Sequence, residues 1–174
     1  MSAQWSHLNP PTPRRPALTP AQSSAVQAAL DAHRDAPGAL LPILHALQAA
    51  LGFIPDAAIA AIAHGLNLSR AEVHGVVSFY HYFRTHPAGR NIVYLCRAEA
   101  CQALGARALE AHAKKSLGID FHGTTADGAV TLEPVYCLGN CACGPSVLVN
   151  ADELHARVTP ESFDALVAAA KNAS

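Results

Sequence analysis

Four of the chain's five cysteines form two close pairs: Cys96 and Cys101 with four residues between them, Cys137 and Cys141 with three. The fifth, Cys143, follows two residues after the last. Thirty-five residues separate the pairs, enough chain to fold back and bring four thiols to one point. Four converging thiolates hold a metal ion or an iron–sulfur cluster, so any fold for this chain must bring the two loops together.

Each pair begins where a strand is expected to end. Residues 91–95 read as a strand running into Cys96, and residues 129–136 as a strand running into Cys137. Strand ends on one side of a sheet lie close together, so both pairs can project from one edge. Cys101 stands just before a helix expected over residues 102–117, whose positive end would stabilise a thiolate there. The second loop, residues 137–145, is rich in small residues, which lets backbone N–H groups approach sulfur closely. An oxidised cluster of two ferric ions, two sulfides and four thiolates carries a charge of −2, and burying it requires such donors.

Spacing alone leaves four readings open. Iron–sulfur ligation is favoured. Structural zinc permits a four-plus-three arrangement but more often has two intervening residues. Disulfides fit poorly with an odd count of five, and plain buried thiols remain. No pair has the two-residue separation of a thioredoxin-type redox enzyme. Cys143 lies too close to Cys141 for both to ligate comfortably beside Cys137, and reads as a small buried neighbour. The ten histidines are dispersed, and none stands two or three residues from a cysteine of the second loop, against a Rieske-type centre.

The rest of the chain bounds the context. With 174 residues and a formal net charge of −1, it has no basic excess to suggest nucleic acid. Apolar residues make up 51%, yet no run reaches the roughly 18 residues of a membrane span. The start, Met1-Ser2-Ala3-Gln4-Trp5, lacks an apolar signal core, so a cytoplasmic location with reduced thiols is the expectation. Residues 1–18, with Pro10, Pro11, Pro13 and Pro16, read as a disordered proline-rich arm.

Four helices are expected over residues 19–86. Thr19-Pro20-Ala21-Gln22 and Ser69-Arg70-Ala71-Glu72 carry capping signals, and Leu40, Leu44, Leu47 and Leu51 recur at helical spacing. Ser78-Phe79-Tyr80-His81-Tyr82-Phe83 reads either as packing between the helices and the second domain or as a face for a protein partner. His86-Pro87-Ala88-Gly89 marks a boundary. From residue 90 to 174 strands and helices alternate, ending in a hairpin of strands 147–149 and 154–158 and a helix that starts at Thr159-Pro160-Glu161. That is a small α/β sandwich compatible with a thioredoxin-like arrangement. No glycine-rich nucleotide fingerprint is present, so the chain offers no nicotinamide or flavin site.

The ordered combination of Leu44-His45-Ala46-Leu47-Gln48, Gly52-Phe53-Ile54-Pro55, Val76-Val77-Ser78-Phe79-Tyr80, both cysteine pairs and residues 154–160 resembles the thioredoxin-like 2Fe–2S ferredoxin subunits of NADH-oxidising and NAD-reducing complexes, including the 24-kDa-type subunit of respiratory complex I. The resemblance implies a helical N-terminal region and a thioredoxin-like domain holding one 2Fe–2S cluster on Cys96, Cys101, Cys137 and Cys141. It implies no catalytic residue. Residues 133–145, with Ala142-Cys143 standing between the last ligand and Gly144-Pro145, look most like the gamma subunits of soluble molybdenum-containing NAD-dependent formate dehydrogenases. On that branch the partners would be a beta-type flavoprotein subunit binding FMN and NAD, and an alpha-type subunit carrying the molybdenum cofactor and further iron–sulfur clusters. Equivalent subunits of complex I or of an NAD-reducing hydrogenase are the alternative hosts, and a zinc-stapled binding module is the rival of another class.

Overall fold

The computed structural model describes residues 17–172, so the proline-rich segment lies almost wholly outside the described residues. The chain divides into two compact units, which part between Pro87 and Ala88.

The first unit is helical: α1 (Pro20–His33), α2 (Leu40–Leu51), α3 (Asp56–Gly65) and α4 (Arg70–Phe79). Both capping boxes form. Thr19 accepts from the Gln22 N–H while the Gln22 side chain accepts from the Thr19 N–H, and Ser69 and Glu72 do the same. Helix α2 ends at Gly52, whose φ of 79° is the left-handed conformation that lets the chain leave the helix. The apolar stripes meet in a core of Val26, Leu30, Ile43, Leu44, Ile59 and Val73, all buried. One polar side chain enters it. The Gln48 amide donates to the Tyr82 carbonyl at 2.9 Å and accepts from the Arg84 N–H at 2.7 Å, which holds the segment after α4 against α2.

The second unit is built on a five-stranded mixed sheet: β1 (Asn91–Cys96), β2 (Gly123–Thr124), β3 (Val130–Val135), β4 (Val147–Val149) and β5 (Glu153–His155), in the order β2-β3-β1-β4-β5. Strands β1 and β3 are parallel, with Cys96 opposite Val135, and the other pairings are antiparallel. Helices α5 (Glu99–Ala103) and α6 (Ala106–Leu117) follow β1, and α7 (Pro160–Asn172) closes the chain. Val93, Leu95, Leu109, Leu132, Val147 and Phe163 form the core. Asp164 of α7 joins α6 by accepting from Ser116 Oγ and pairing with His112 Nε2, both at 2.9 Å.

Three expectations change. The helix expected over 102–117 is two helices, because Gly105, at φ 101°, breaks the run after a short first turn-and-a-half. Cys101 therefore lies inside α5 rather than before a helix. Strand β2 is two residues long and exists by pairing with β3, which local sequence cannot announce. The hairpin's second strand spans Glu153–His155 rather than 154–158, since Arg157, at φ 50°, has already left the extended region.

Candidate metal centre

Parallel pairing sets the site. Because β1 and β3 run side by side in the same direction, Cys96 at the end of one lies against Val135 at the end of the other, and both following loops leave the same sheet edge. Strand β4, antiparallel to β1, begins at that edge, so Gly144, Pro145 and Ser146 arrive beside the cysteines. The Cys96 N–H donates to the Ser146 carbonyl at 3.1 Å.

Cys96 and Cys101 are buried, whereas Cys137 and Cys141 are exposed and Cys143 is half-buried; none forms a disulfide. The sulfurs of Cys137 and Cys141 are 3.6 Å apart. Two thiolates on one metal, with metal–sulfur bonds of about 2.3 Å and tetrahedral angles, would sit about 3.8 Å apart, so this pair needs little adjustment to share one ion. Cys96 and Cys101 form the other pair, close enough that each thiol influences the ionisation of the other. Among the described residues no three His, Cys, Asp or Glu side chains are arranged around a single ion; the thiols come as two pairs.

The loop backbone is bent to face sulfur. Cys137 adopts φ 102°, a left-handed conformation that costs a non-glycine residue on the order of 1–3 kcal/mol. The Gly139 N–H donates to Cys137 Sγ at 3.3 Å, and the backbones of Cys137 and Leu138 come near enough to the Cys96 sulfur to favour its thiolate. Burial opposes ionisation of Cys96, but hydrogen bonds from Ala98, Cys101, Cys137 and Leu138 outweigh it and hold its thiol below the ordinary range. Cys101 moves the other way, pushed up by burial and then by the neighbouring Cys96, and only partly relieved by the Ser146 N–H and hydroxyl. The helix-end stabilisation expected for Cys101 is thus reversed: the residue lies inside a five-residue helix, and the hydrogen bonds converge on Cys96 instead. Cys141 is raised by its hydrogen bond to Cys137 and by that group's charge.

Two neighbours were not legible in the sequence. Ser146 is buried at 1% exposure, presents both N–H and hydroxyl to Cys101, and has its hydroxyl held by the Asn140 amide at 3.3 Å. Gly144 is packed so closely that a Cβ there would lie 3.1 Å from Cys101 Sγ. The sequence signal for Gly144 was its place within the small-residue loop 137–145, and Ser146 follows directly after that loop. Cys143 sits in a 3-10 turn, Cys141–Cys143, where its N–H donates to the Asn140 carbonyl and its carbonyl accepts from the Arg157 N–H. Of the aromatic cluster only Phe83 is buried; Phe79, Tyr80 and Tyr82 are exposed, and the His45 ring lies tilted against Tyr82 and edge-on to Phe83, with ring centroids 5.1 Å away in each case.

Residues 26–171 match the thioredoxin-like [2Fe-2S] ferredoxin family. The chain belongs to that family. It is 35% identical over 150 residues to the E subunit of NADH-quinone oxidoreductase from Escherichia coli K12, covering 86% of this chain and 90% of the relative. The corresponding protein of Pseudomonas aeruginosa PAO1 is 34% identical over 152 residues, covering 87% and 91%. A crystal structure of an NAD+-reducing [NiFe]-hydrogenase in the air-oxidised state superposes with a TM-score of 0.63 at 27% identity, over 80% of this chain and 24% of the hydrogenase chain. This chain thus corresponds to about a quarter of that longer polypeptide. As a thioredoxin-like [2Fe-2S] ferredoxin it carries one 2Fe–2S cluster and serves electron transfer in an oxidoreductase assembly. The donor set fits such a group: thiols in two pairs, a backbone donor turned onto sulfur, and a glycine where any side chain would crowd a thiol.

Proposed function

We propose that this chain is the electron-relay subunit of an NAD(H)-linked oxidoreductase complex, with Cys96, Cys101, Cys137 and Cys141 holding the cluster. The observation that carries the reading is the convergence of two thiol pairs on one edge of the β1–β3 sheet. When bound, the cluster takes up and passes on single electrons. The chain's own residues bind it, turn backbone N–H groups toward its sulfurs, and bury one thiol pair while leaving the other at the surface, where a partner's redox centre can approach. Residues 90–174 are the cluster-bearing domain and residues 19–86 form a separate helical domain.

The named relatives support a host of the complex I type or an NAD-reducing hydrogenase better than a formate dehydrogenase. The partner in either case is the flavoprotein subunit that binds FMN and NAD. The formate dehydrogenase host, with its additional molybdenum subunit, rests on the sequence of residues 133–145, where Ala142-Cys143 intervenes before Gly144-Pro145. No helix among the described residues is long and apolar enough to cross a membrane, and the free thiols suit a cytoplasmic setting.

The test is anaerobic reconstitution of the purified chain with iron and sulfide. Visible absorption, about two irons and two sulfides per chain, and a low-temperature electron paramagnetic resonance signal on reduction support the reading. A colourless chain with one zinc refutes it. Co-purification with identification of the partners separates the hosts.

A further inference from the structure

Arg97 directly follows the first cysteine and joins four segments. Its N–H donates to the Val135 carbonyl at 2.7 Å, and its carbonyl accepts from the Gln102 side-chain amide at 2.6 Å. Its guanidinium donates from Nε to Glu110 Oε2 at 2.9 Å and from Nη1 to Tyr136 Oη at 3.2 Å. The guanidinium also lies over the rings of Phe121 and Tyr136, at 5.2 and 5.9 Å from their centroids. Three members of this network are sequence neighbours of cysteines: Arg97 of Cys96, Gln102 of Cys101, and Tyr136 of Cys137. A single side chain with its own peptide group therefore braces the backbone on which three of the four thiols are mounted. Glu110 is half-buried and is shared with Lys114 at 2.8 Å, while the Arg97 side chain keeps 35% of its surface exposed.

We propose that Arg97 is a positioning residue for the iron–sulfur cluster, bracing the residues next to Cys96, Cys101 and Cys137, and that the Arg97–Glu110 pair sets the cluster's reduction potential. The inference rests on the proposed cluster ligation. Reduction adds negative charge to the cluster, so a nearby cation favours the reduced form and a nearby anion opposes it. Arginine suits the place because its planar fork reaches Glu110 and Tyr136 at once; lysine supplies the charge without the fork.

The experiment uses the full chain loaded with iron and sulfide, with potentiometric titration followed by electron paramagnetic resonance. Arg97→Gln should lower the midpoint potential and alter the line shape of the reduced cluster. Glu110→Gln should raise the midpoint. Arg97→Lys should keep the midpoint close to wild type while sharing the altered line shape. Thermal unfolding of the same variants reads any general loss of stability, which would not give shifts of opposite sign. A loaded Arg97→Gln protein with the wild-type midpoint and spectrum overturns the proposal, and so do Arg97→Gln and Glu110→Gln shifts of the same sign. If Arg97→Gln fails to load, the sign of the Glu110→Gln shift still decides. Failure of the wild-type chain to hold a cluster sinks the ligation reading instead, so the two failures are distinguishable.

Discussion

Gly144→Ala tests how tightly the second loop is packed onto the cysteines. The backbone at Gly144 has φ −70° and ψ 164°, a conformation alanine adopts freely, and one suited to the residue before Pro145. Alanine there should therefore gain about 0.4–1 kcal/mol from a less disordered unfolded chain. Against this, the new Cβ would lie 3.1 Å from Cys101 Sγ, 3.1 Å from Leu104 Cδ1 and 3.3 Å from Cys101 Cα. Leu104 can rotate away, but the Cα of Cys101 belongs to α5 and moves only with the helix. Overpacking of this kind costs about 1–3 kcal/mol, so the middle of the two ranges leaves a net loss of about 1.3 kcal/mol. With a urea slope of about 2 kcal/mol per molar, the midpoint of the metal-free protein should fall by about 0.5–1 M. Far-UV circular dichroism in urea reads this, and iron content after reconstitution reads the displacement of Cys101. A Gly144→Ala protein as stable as wild type, with full iron and an unchanged spectrum, would refute the close approach.

Other substitutions separate the remaining arguments. Gly75→Ala, at an exposed position inside α4 where an added Cβ meets nothing within 4 Å, should stabilise the chain by about 0.5–1 kcal/mol, measured as a higher urea midpoint. Cys143→Ser should retain about two irons per chain, whereas Cys137→Ser and Cys96→Ser should lose them; loss of iron from the Cys143 variant would overturn the ligand set. Hydrogen bonds from Thr125, Ala129 and Lys171 hold the Asp127 carboxyl well below the usual carboxylate range. A depressed folded pKa gives stability that is present above about pH 4 and lost as pH falls toward the folded value. Asp127→Asn should therefore be less stable than wild type at pH 7 and should lose less stability between pH 4 and pH 2, read by thermal melts across pH.

The parts of the fold legible in the sequence were those whose cause is local. Thr19 and Ser69 announce their helices because cap and partner are three residues apart, and both capping boxes form. The strands that deliver Cys96 and Cys137 are both interior to the sheet, β1 between β3 and β4, and β3 between β2 and β1, although β3 carries Thr131 and Glu133 among its apolar residues. Gly105 was legible only as a glycine. Its φ of 101° splits the expected helix and moves Cys101 from before a helix into one. The alternative uses of the aromatic run could not be separated because exposure is a property of the folded surface; only Phe83 turned inward.

The same distinction applies within the site. Cysteine is rare and its chemistry narrow, so two close pairs favour a sulfur-ligated cluster, although spacing alone leaves zinc, disulfides and buried thiols open. The groups that face those sulfurs are ordinary residues. Ser146 faces Cys101 across 45 positions of sequence because β4 returns antiparallel to β1, and Tyr136 reaches Arg97 across 39 because β1 and β3 are parallel neighbours. Neither relation has a spacing signature, since the loops between can change length without moving the strand ends. The donor set is thus a property of the sequence, whereas the environment of the donors is a property of strand order. Chains with the same cysteine spacing and the same sheet can therefore hold the same cluster at different potentials by changing a residue such as Arg97 that no cysteine motif contains.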